Sequence, residues 1–524
     1  MRVTNKMIMN NASSNINTTK EFVNQRNTQM TSQKKIDRPS DDPVIAVRSL
    51  RLSTTLSQVT QYHEKNIPDA AQWISVTETA LINMREIGND CKQIANKGAT
   101  DTFNSQDDRK TMLKELEQLQ KQLFAEGNAD YANRTVFTGY RTNCNLTFTE
   151  DELNTAYEIT QTIAIEGNME DHRYYDGDVI IPTTETELLA PSIKAGDPGY
   201  DPAVNKPISD IVKTNFYRIR LAYDKIDGLA ENINIKVNNP AVNPDDYTVI
   251  SYDSEAAWSA AQGGKVIPEK TAVLIKETGD LILSNDTAED LKKADAELTI
   301  KYNKKGFEEG ELRPEYYYNC VKTEDPLDVH VPVTYTKYNE NGERKHFDIE
   351  YTIAASQTIG INTEAADVFD SSIYRDVTEM IDACQHAVSA YDKMQALKDM
   401  KSESQYASNE DQEWLDIWYK AAEKEFDFYH DNMRKLFDAE IGKIDKYYAK
   451  INLAITDLGC KKDSLDLTKN RVGDQQQTVQ SLQSLNDDID LSKIIIDYTA
   501  AYTAYQASLT AAGKLGDSTL LNYI

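Results

Sequence analysis

The apolar pattern changes period twice along this 524-residue chain, and that double change limits the folds open to it. Up to about Thr142, apolar residues recur at helical spacing. Across 143–360, short runs rich in Thr, Tyr, Val and Ile alternate with turn residues. Helical spacing returns at about Glu364 and persists to the last residues. Recurrence at three and four residues marks an amphipathic helix, and short β-branched or aromatic runs between turns mark strands. The class expected is α+β: a long antiparallel helical bundle or coiled coil formed by the N- and C-terminal segments, with a central β-rich insertion.

The first arm, 1–35, is polar. Ile8, Ile16, Val23 and Met30 lie near heptad spacing, but Asn and Thr fill most places between them. Such a helix is marginal alone and needs a partner stripe. It leads into Ile36–Leu50, IDRPSDDPVIAVRSL. Asp42 precedes a proline, so its backbone is held extended, which suits a helix N-cap. Pro43 falls at the first helical position, where a missing N–H costs nothing. Ser40 and Asp41 bring acceptors and charge to the positive end of that helix. Asp37, Arg38, Pro39, Ser40, Asp41, Asp42 and Pro43 therefore form one rigid elbow.

Beyond the elbow, Leu52, Leu56, Val59 and Tyr62 mark one face, Pro68 is expected to interrupt it, and Asp69 restarts the pattern. Ile74, Leu81, Met84, Ile87, Cys91 and Ile94 continue to Gly98. Ser105 with Asp108 resembles a capping box, and Met112, Leu116, Leu119 and Leu123 run to a stop at Gly127-Asn128. In the insertion, Glu277-Thr278-Gly279-Asp280 predicts a hairpin between Val273–Ile275 and Leu281–Leu283. Asn339-Glu340-Asn341-Gly342 predicts another between Val333–Tyr338 and His346–Ile353. Ser209–Asn232 reads as a helical island. Dense Gly, Pro, Asn and Asp at 196–207 and 238–246 mark candidate boundaries between two subdomains.

On the return, Val377, Ile381, Cys384, Val388 and Tyr391 share a face, and a charged stretch carries Trp414, Trp418, Phe426, Phe428 and Phe437. Ile451, Leu458, Leu465, Val472 and Val479 then repeat one heptad apart, as in a coiled coil. After a break at 486–490, a final helix presents Ile494, Tyr498, Tyr502, Tyr505, Leu509 and Leu515, with Leu520, Leu521 and Ile524 as an apolar tip. These nine residues form the predicted terminal interface. The expected domains are 1–35 plus 486–524, 36–142 plus 361–485, and 143–360.

The formal net charge is −28, which argues against nucleic acid as the main partner. The ends differ in sign: residues 1–51 hold nine Lys/Arg against four acids, and 485–524 hold five Asp against two Lys. The mean hydropathy is −0.60 and there is no apolar run of about 18 residues, so a water-soluble chain with no membrane insertion is expected. Five widely spaced cysteines without a C-x-x-C pair suggest inert, mostly buried thiols rather than a disulfide framework or zinc site. The polar run Asn10–Asn15 breaks any secretory signal core. The six histidines are scattered, and no H-E-x-x-H, G-x-S-x-G or G-x-G-x-x-G motif occurs. No catalytic residue, metal site or cofactor is expected. Tyr316-Tyr317-Tyr318 within the insertion leaves a surface-binding reading open, with small β cores as the simpler use of Tyr.

Five ordered segments resemble the flagellin superfamily of bacterial flagellar axial proteins, and within it the hook–filament junction group. They are Met1-Arg2-Val3-Thr4-Asn5, the elbow Ile36–Pro43, and Asn133-Arg134-Thr135-Val136-Phe137-Thr138-Gly139-Tyr140. Gly360-Ile361-Asn362-Thr363 with Val368-Phe369, and Ser518-Thr519-Leu520-Leu521-Asn522-Tyr523-Ile524, complete the set. They span about the first 142 and last 165 residues. Where the family usually approaches its elbow with Thr-Gly-Lys-Arg-Ile, this chain has Ser32-Gln33-Lys34-Lys35-Ile36. The resemblance implies paired terminal helices lining a channel and self-association into a ring. It implies neighbours in hook-associated protein 1 and flagellin, and export through the flagellar type III apparatus with a cytoplasmic chaperone. Flagellin itself, or a flagellin-like surface protein with a binding insertion, is the alternative.

Overall fold

The computed structural model describes residues 5–100, 105–176, 179–189, 210–211, 216–239, 248–261, 267–326, 330–339, 342–368 and 370–517. The main helices are α1 (Asn5–Ser32), α2 (Pro43–Gln61), α3 (Ile67–Ala99), α4 (Gln106–Gly127), α5 (Glu255–Ala261), α6 (Asn285–Lys293), α7 (Ser372–Ser402), α8 (Asn409–Asp487) and α9 (Leu491–Asp517). The insertion strands are β1 (Glu152–Ala164), β2 (Met169–His172), β3 (Phe216–Arg220), β4 (Gly228–Leu229), β5 (Asn234–Val237), β6 (Thr248–Tyr252), β7 (Thr271–Ile275) and β8 (Asp280–Leu283). They continue with β9 (Ala296–Phe307), β10 (Asn319–Glu324), β11 (Val333–Tyr335), β12 (Glu350–Ala354) and β13 (Gln357–Gly360). The chain divides into two compact units, one of Met1–Ala71, Tyr351–Ile359 and Lys461–Ile524, the other of Gln72–Glu350 and Gly360–Cys460.

In the first unit α1 runs antiparallel to α9. The Ile489 N–H donates to the Gln33 carbonyl at 3.0 Å, and the Thr19 and Ser508 hydroxyls meet at 3.2 Å halfway along. Leu465, Val472 and Val479 of the heptad seam are buried here. Pro68 does not interrupt the helix as expected. The turn Tyr62–Asn66 instead widens to π geometry, with the Ile67 N–H donating to the Tyr62 carbonyl. A proline ring clashes with the carbonyl four residues earlier, and a wider turn accommodates it without a break. Gly473 fits the same place: a Cβ there would lie 3.1 Å from His63 Nε2 of the π turn.

In the second unit the predicted stripes converge on one core. Cys91 and Ile94 of α3, Met112 and Leu116 of α4, Val377, Met380 and Cys384 of α7, and Met433, Phe437 and Ile444 of α8 are buried together. Among the described residues, two larger sheets lie in the insertion, apart from two-stranded pairs. One has the order β6-β7-β8-β3-β2, the other β11-β10-β1-β9-β4, with β5 also pairing β9. The β7–β8 hairpin forms as predicted, Val273 opposite Ile282. Its Gly279 has φ +65, and a Cβ there would meet the Tyr223 carbonyl oxygen at 2.1 Å, so the turn requires glycine.

Two expectations fail in this unit. The helical island at 209–232 has no helix among its described residues: β3 lies between β8 and β2, bends follow it to β4, and Phe216, Ile219, Leu221 and Ile226 are buried in the insertion cores. Sheet neighbours on both sides satisfy its backbone, so pairing outweighs a helical spacing of apolar residues. Of the Asn339–Gly342 hairpin, residues 340 and 341 lie outside the described residues, and the flanks meet only next to them: Tyr338 bridges Arg344, and Lys345 N–H donates to the Lys337 carbonyl at 2.8 Å. The pairing does not continue along the predicted strands, because β11 pairs β10 and β12 pairs β13.

A buried ionic network joins this sheet to α7 and α8. Arg218 of β3 contacts Glu170 at 2.7 Å and Glu379 at 2.6 Å. Arg220 pairs with Asp376 and Glu379. Lys443 reaches Glu170 at 2.6 Å and Glu440 at 2.9 Å. Mutual charge compensates the desolvation of these groups, so loss of one partner costs more than the pair contributes.

Candidate assembly surface

The elbow is built from its own side chains. Asp42 has an extended backbone, φ −149 and ψ 100, and its Oδ1 accepts from Val44 N–H at 2.9 Å and Ile45 N–H at 3.1 Å. Pro43 occupies the first helical position. Asp41 acts one step earlier than expected: its Oδ2 accepts from the backbone N–H of Arg38 at 2.9 Å and Asp37 at 3.2 Å. It closes the turn rather than charging the helix end.

The approach to this turn joins the two chain ends. The Lys35 N–H donates to the Asp487 carbonyl at 2.8 Å. Lys35 Nζ donates to the Asn486 carbonyl at 3.1 Å. Gln29, buried, donates through Nε2 to the Lys35 carbonyl at 2.6 Å. Asn486 Nδ2 reaches the Ile45 carbonyl at 3.1 Å, and Ser49 Oγ donates to Asp487 Oδ2 at 2.8 Å. Lys34 Nζ lies 2.5 Å from Asp488. That hydrogen bond raises the Lys34 ammonium pKa and lowers the Asp488 carboxyl. Both side chains are about half exposed, so this pair contributes little, and the sign difference between the ends acts mainly through the hydrogen-bonded frame.

Gln33 takes φ +57 just after α1 ends. It stands where the family resemblance places glycine, and a left-handed residue there is the usual way a helix terminates.

The predicted terminal interface divides. Ile494 is fully buried, and Tyr498 and Tyr505 are half-buried. Tyr502 and Leu509 are each 44% exposed, with the Tyr502 ring stacked 6.1 Å from that of Tyr498. Leu515 lies within α9, with its side chain outside the described residues. Leu520, Leu521 and Ile524 lie outside them altogether. Sequence reasoning missed that the first unit exposes further apolar residues, Ile495 and Ile496 on α9 and Met7, Met9 and Phe22 on α1. Their breadth was legible only as a helix apolar on more than one face.

In the second unit two of the segments carrying the resemblance meet. Thr138 forms a bridge with Glu364, and the Ala365 N–H donates to the Phe137 carbonyl at 2.8 Å. Gly139 has φ +65 and packs on the Glu364 side chain. Close by, His346, Glu364 and Asp367 hold ligand-type atoms within 4.8 Å of one another. Lys337 already pairs with Glu364 and Arg344 with Asp367, so these acids have their countercharge in the chain.

Residues 3–142 match the family described as the bacterial flagellin N-terminal helical region. No curated protein matches the sequence. Among solved structures, a candidate flagellar hook-associated protein from Vibrio parahaemolyticus is 12% identical, covering 85% of this chain and 99% of that one, with a TM-score of 0.35. FlgL from Xanthomonas campestris is 10% identical, covering 82% and 99%, TM-score 0.30. Flagellar hook-associated protein-3 from Legionella pneumophila is 10% identical, covering 83% and 98%, TM-score 0.30. At such TM-scores these overlaps carry nothing further. The matched stretch contains α1, the elbow, α2, α3, α4 and the Phe137-Thr138-Gly139 segment, so over residues 3–142 this chain is similar to the N-terminal helical region of bacterial flagellin.

Proposed function

We propose that this chain is a structural, non-enzymatic subunit of the bacterial flagellum, placed at the junction between hook and filament. One observation carries the reading: a flagellin-type N-terminal region whose first helix pairs antiparallel with the last helix while apolar side chains of both remain exposed. An exposed apolar face of this kind needs a neighbour. Head-to-tail repetition of one contact by rotation builds a ring or a helix. The elbow, residues 37–43, holds the angle at which such copies meet, and the α9 residues from Ile494 to Leu515, with the tip Leu520, Leu521 and Ile524, supply the contact. Hook-associated protein 1 and flagellin are the expected neighbours on either side. The chain leaves the cell by the flagellar export route, with a cytoplasmic chaperone holding the terminal segments beforehand. The domains assigned to these roles are 1–35 with 486–524, 36–142 with 361–485, and 143–360.

Immunogold electron microscopy of intact flagella, with antibody against residues 150–350, tests the reading. Label in a narrow band between hook and filament is the expected result. Label along the whole filament would make the chain a filament subunit, and flagella without label would remove the flagellar reading.

A further inference from the structure

We propose that His346, Glu364 and Asp367 form a binding site for one zinc ion where the chain returns from the insertion to the helices. They offer one ring nitrogen and two carboxylate oxygens, all within 4.8 Å of one another. His346 and Asp367 are exposed, so an ion has a path from solvent, whereas Glu364 is only 4% exposed. Lys337 and Arg344 compensate the two acids but engage one oxygen of each, Glu364 Oε2 and Asp367 Oδ1. Among the described residues Glu364 Oε1 accepts no hydrogen bond, and it faces His346 Nδ1 at 3.3 Å.

The other ring nitrogen, Nε2, lies 2.7 Å from Asp348 Oδ1. A neutral imidazole carries one N–H and one lone pair, so it can offer a proton to only one of these two oxygens. With the proton on the side of the closer Asp348, the Nδ1 lone pair is set against Glu364 Oε1, acceptor against acceptor. A cation shared by the two removes that conflict. Ligand atoms at zinc distance in a tetrahedral site stand about 3.3 Å apart, which is the separation of Nδ1 and Oε1. Asp367 closes on the ion by rotation of its exposed side chain, and water takes the fourth position. Asp348 then holds the place of the outer carboxylate that orients a metal-bound histidine. One imidazole among carboxylates suits zinc better than magnesium, which takes oxygen ligands. Glu364 also forms the bridge to Thr138, so the ion would tie the 344–348 segment to both strands of that bridge.

Titration calorimetry of the purified full chain, stripped with a chelator and then titrated with Zn²⁺, tests this. One equivalent of bound zinc is expected to disappear in His346→Ala, while zinc held by other histidines or cysteines is unchanged. Asp367→Ala should remove the same equivalent and serves if the first variant does not fold. Asp348→Asn should keep the stoichiometry and weaken that equivalent about 10–100-fold, the usual effect of losing an outer carboxylate. The same number of equivalents in the unaltered chain and in both alanine variants would overturn the proposal. So would no zinc uptake at all, which would leave His346 as an ordinary partner of Asp348 and Glu364. Displacement of the ion by an equal concentration of Mg²⁺ would overturn it too, since oxygen ligands alone would then suffice.

Discussion

Gln33 pays a conformational cost that its position does not require. A non-glycine residue in the left-handed region loses about 1–2 kcal/mol, and glycine returns part of that as unfolded-state entropy. Gln33→Gly should therefore stabilise the chain by about 0.5–1 kcal/mol, seen as a higher urea midpoint. An unchanged or lower midpoint would mean that the side chain makes contacts of value. Glu440 presents the opposite sign of problem. Burial, with Asp376 adding to it against Lys443, raises its carboxyl from 4.5 to about 7. Between these values the folded chain holds a proton that the unfolded chain has released, so this residue makes stability fall as pH rises from about 4.5 to about 7. Glu379 behaves in reverse: burial pushes it up, but Arg218 and Arg220 prevail and hold it well below the usual range. Its contribution is present above the ordinary value of 4.5 and is lost as pH falls below it. Glu440→Gln should flatten the decline between pH 5 and pH 8, and urea unfolding of both proteins at the two values checks it. Neither residue stands out in the sequence, because their environment is made by strands and helices far apart in the chain.

At the scale of elements, the elbow was legible from residues 36–43 alone. A capping acid followed by proline fixes backbone geometry locally, and the structure returns that cap with both its hydrogen bonds. Pro68 was legible as a disturbance but not as its remedy, since a π turn depends on what packs beside it, here His63 over Gly473. Gly98 shows the same division. It reads as a helix end, and α3 does end at Ala99, yet its role is contact: a Cβ there would fall 2.1 Å from the buried Phe437 ring. Gly98→Ala should destabilise the chain by about 1–3 kcal/mol through overpacking, against a normal gain of about 1 kcal/mol for this change within a helix. A rise in thermal midpoint would show that the α3–α8 contact yields easily. The expected helix at 209–232 failed because β3 owes its form to β8 and β2, neither of which is visible in a local window.

For the whole molecule, the two ends act as one structure. Deleting Leu491–Ile524 removes the partner of α1 and the Ile489-side frame of the elbow loses its continuation. We expect no filament on cells carrying that deletion, scored by electron microscopy; normal filaments would defeat the pairing argument. Deletions within 150–350 should be milder in swimming assays. The sequence by itself determined the helical ends, the β-rich centre, the elbow and its cap, and the two breaks after 127 and before 491, the second starting at 488 rather than 486, because each rests on periodicity or on residues within a few positions of one another. Only the tertiary structure decided which strands pair, which of the α9 residues face α1 and which face outward, and how Arg218, Arg220, Asp376, Glu379, Glu440 and Lys443 assemble into one buried network. Those outcomes depend on contacts between distant segments, where the free energy of pairing and desolvation outweighs any local preference.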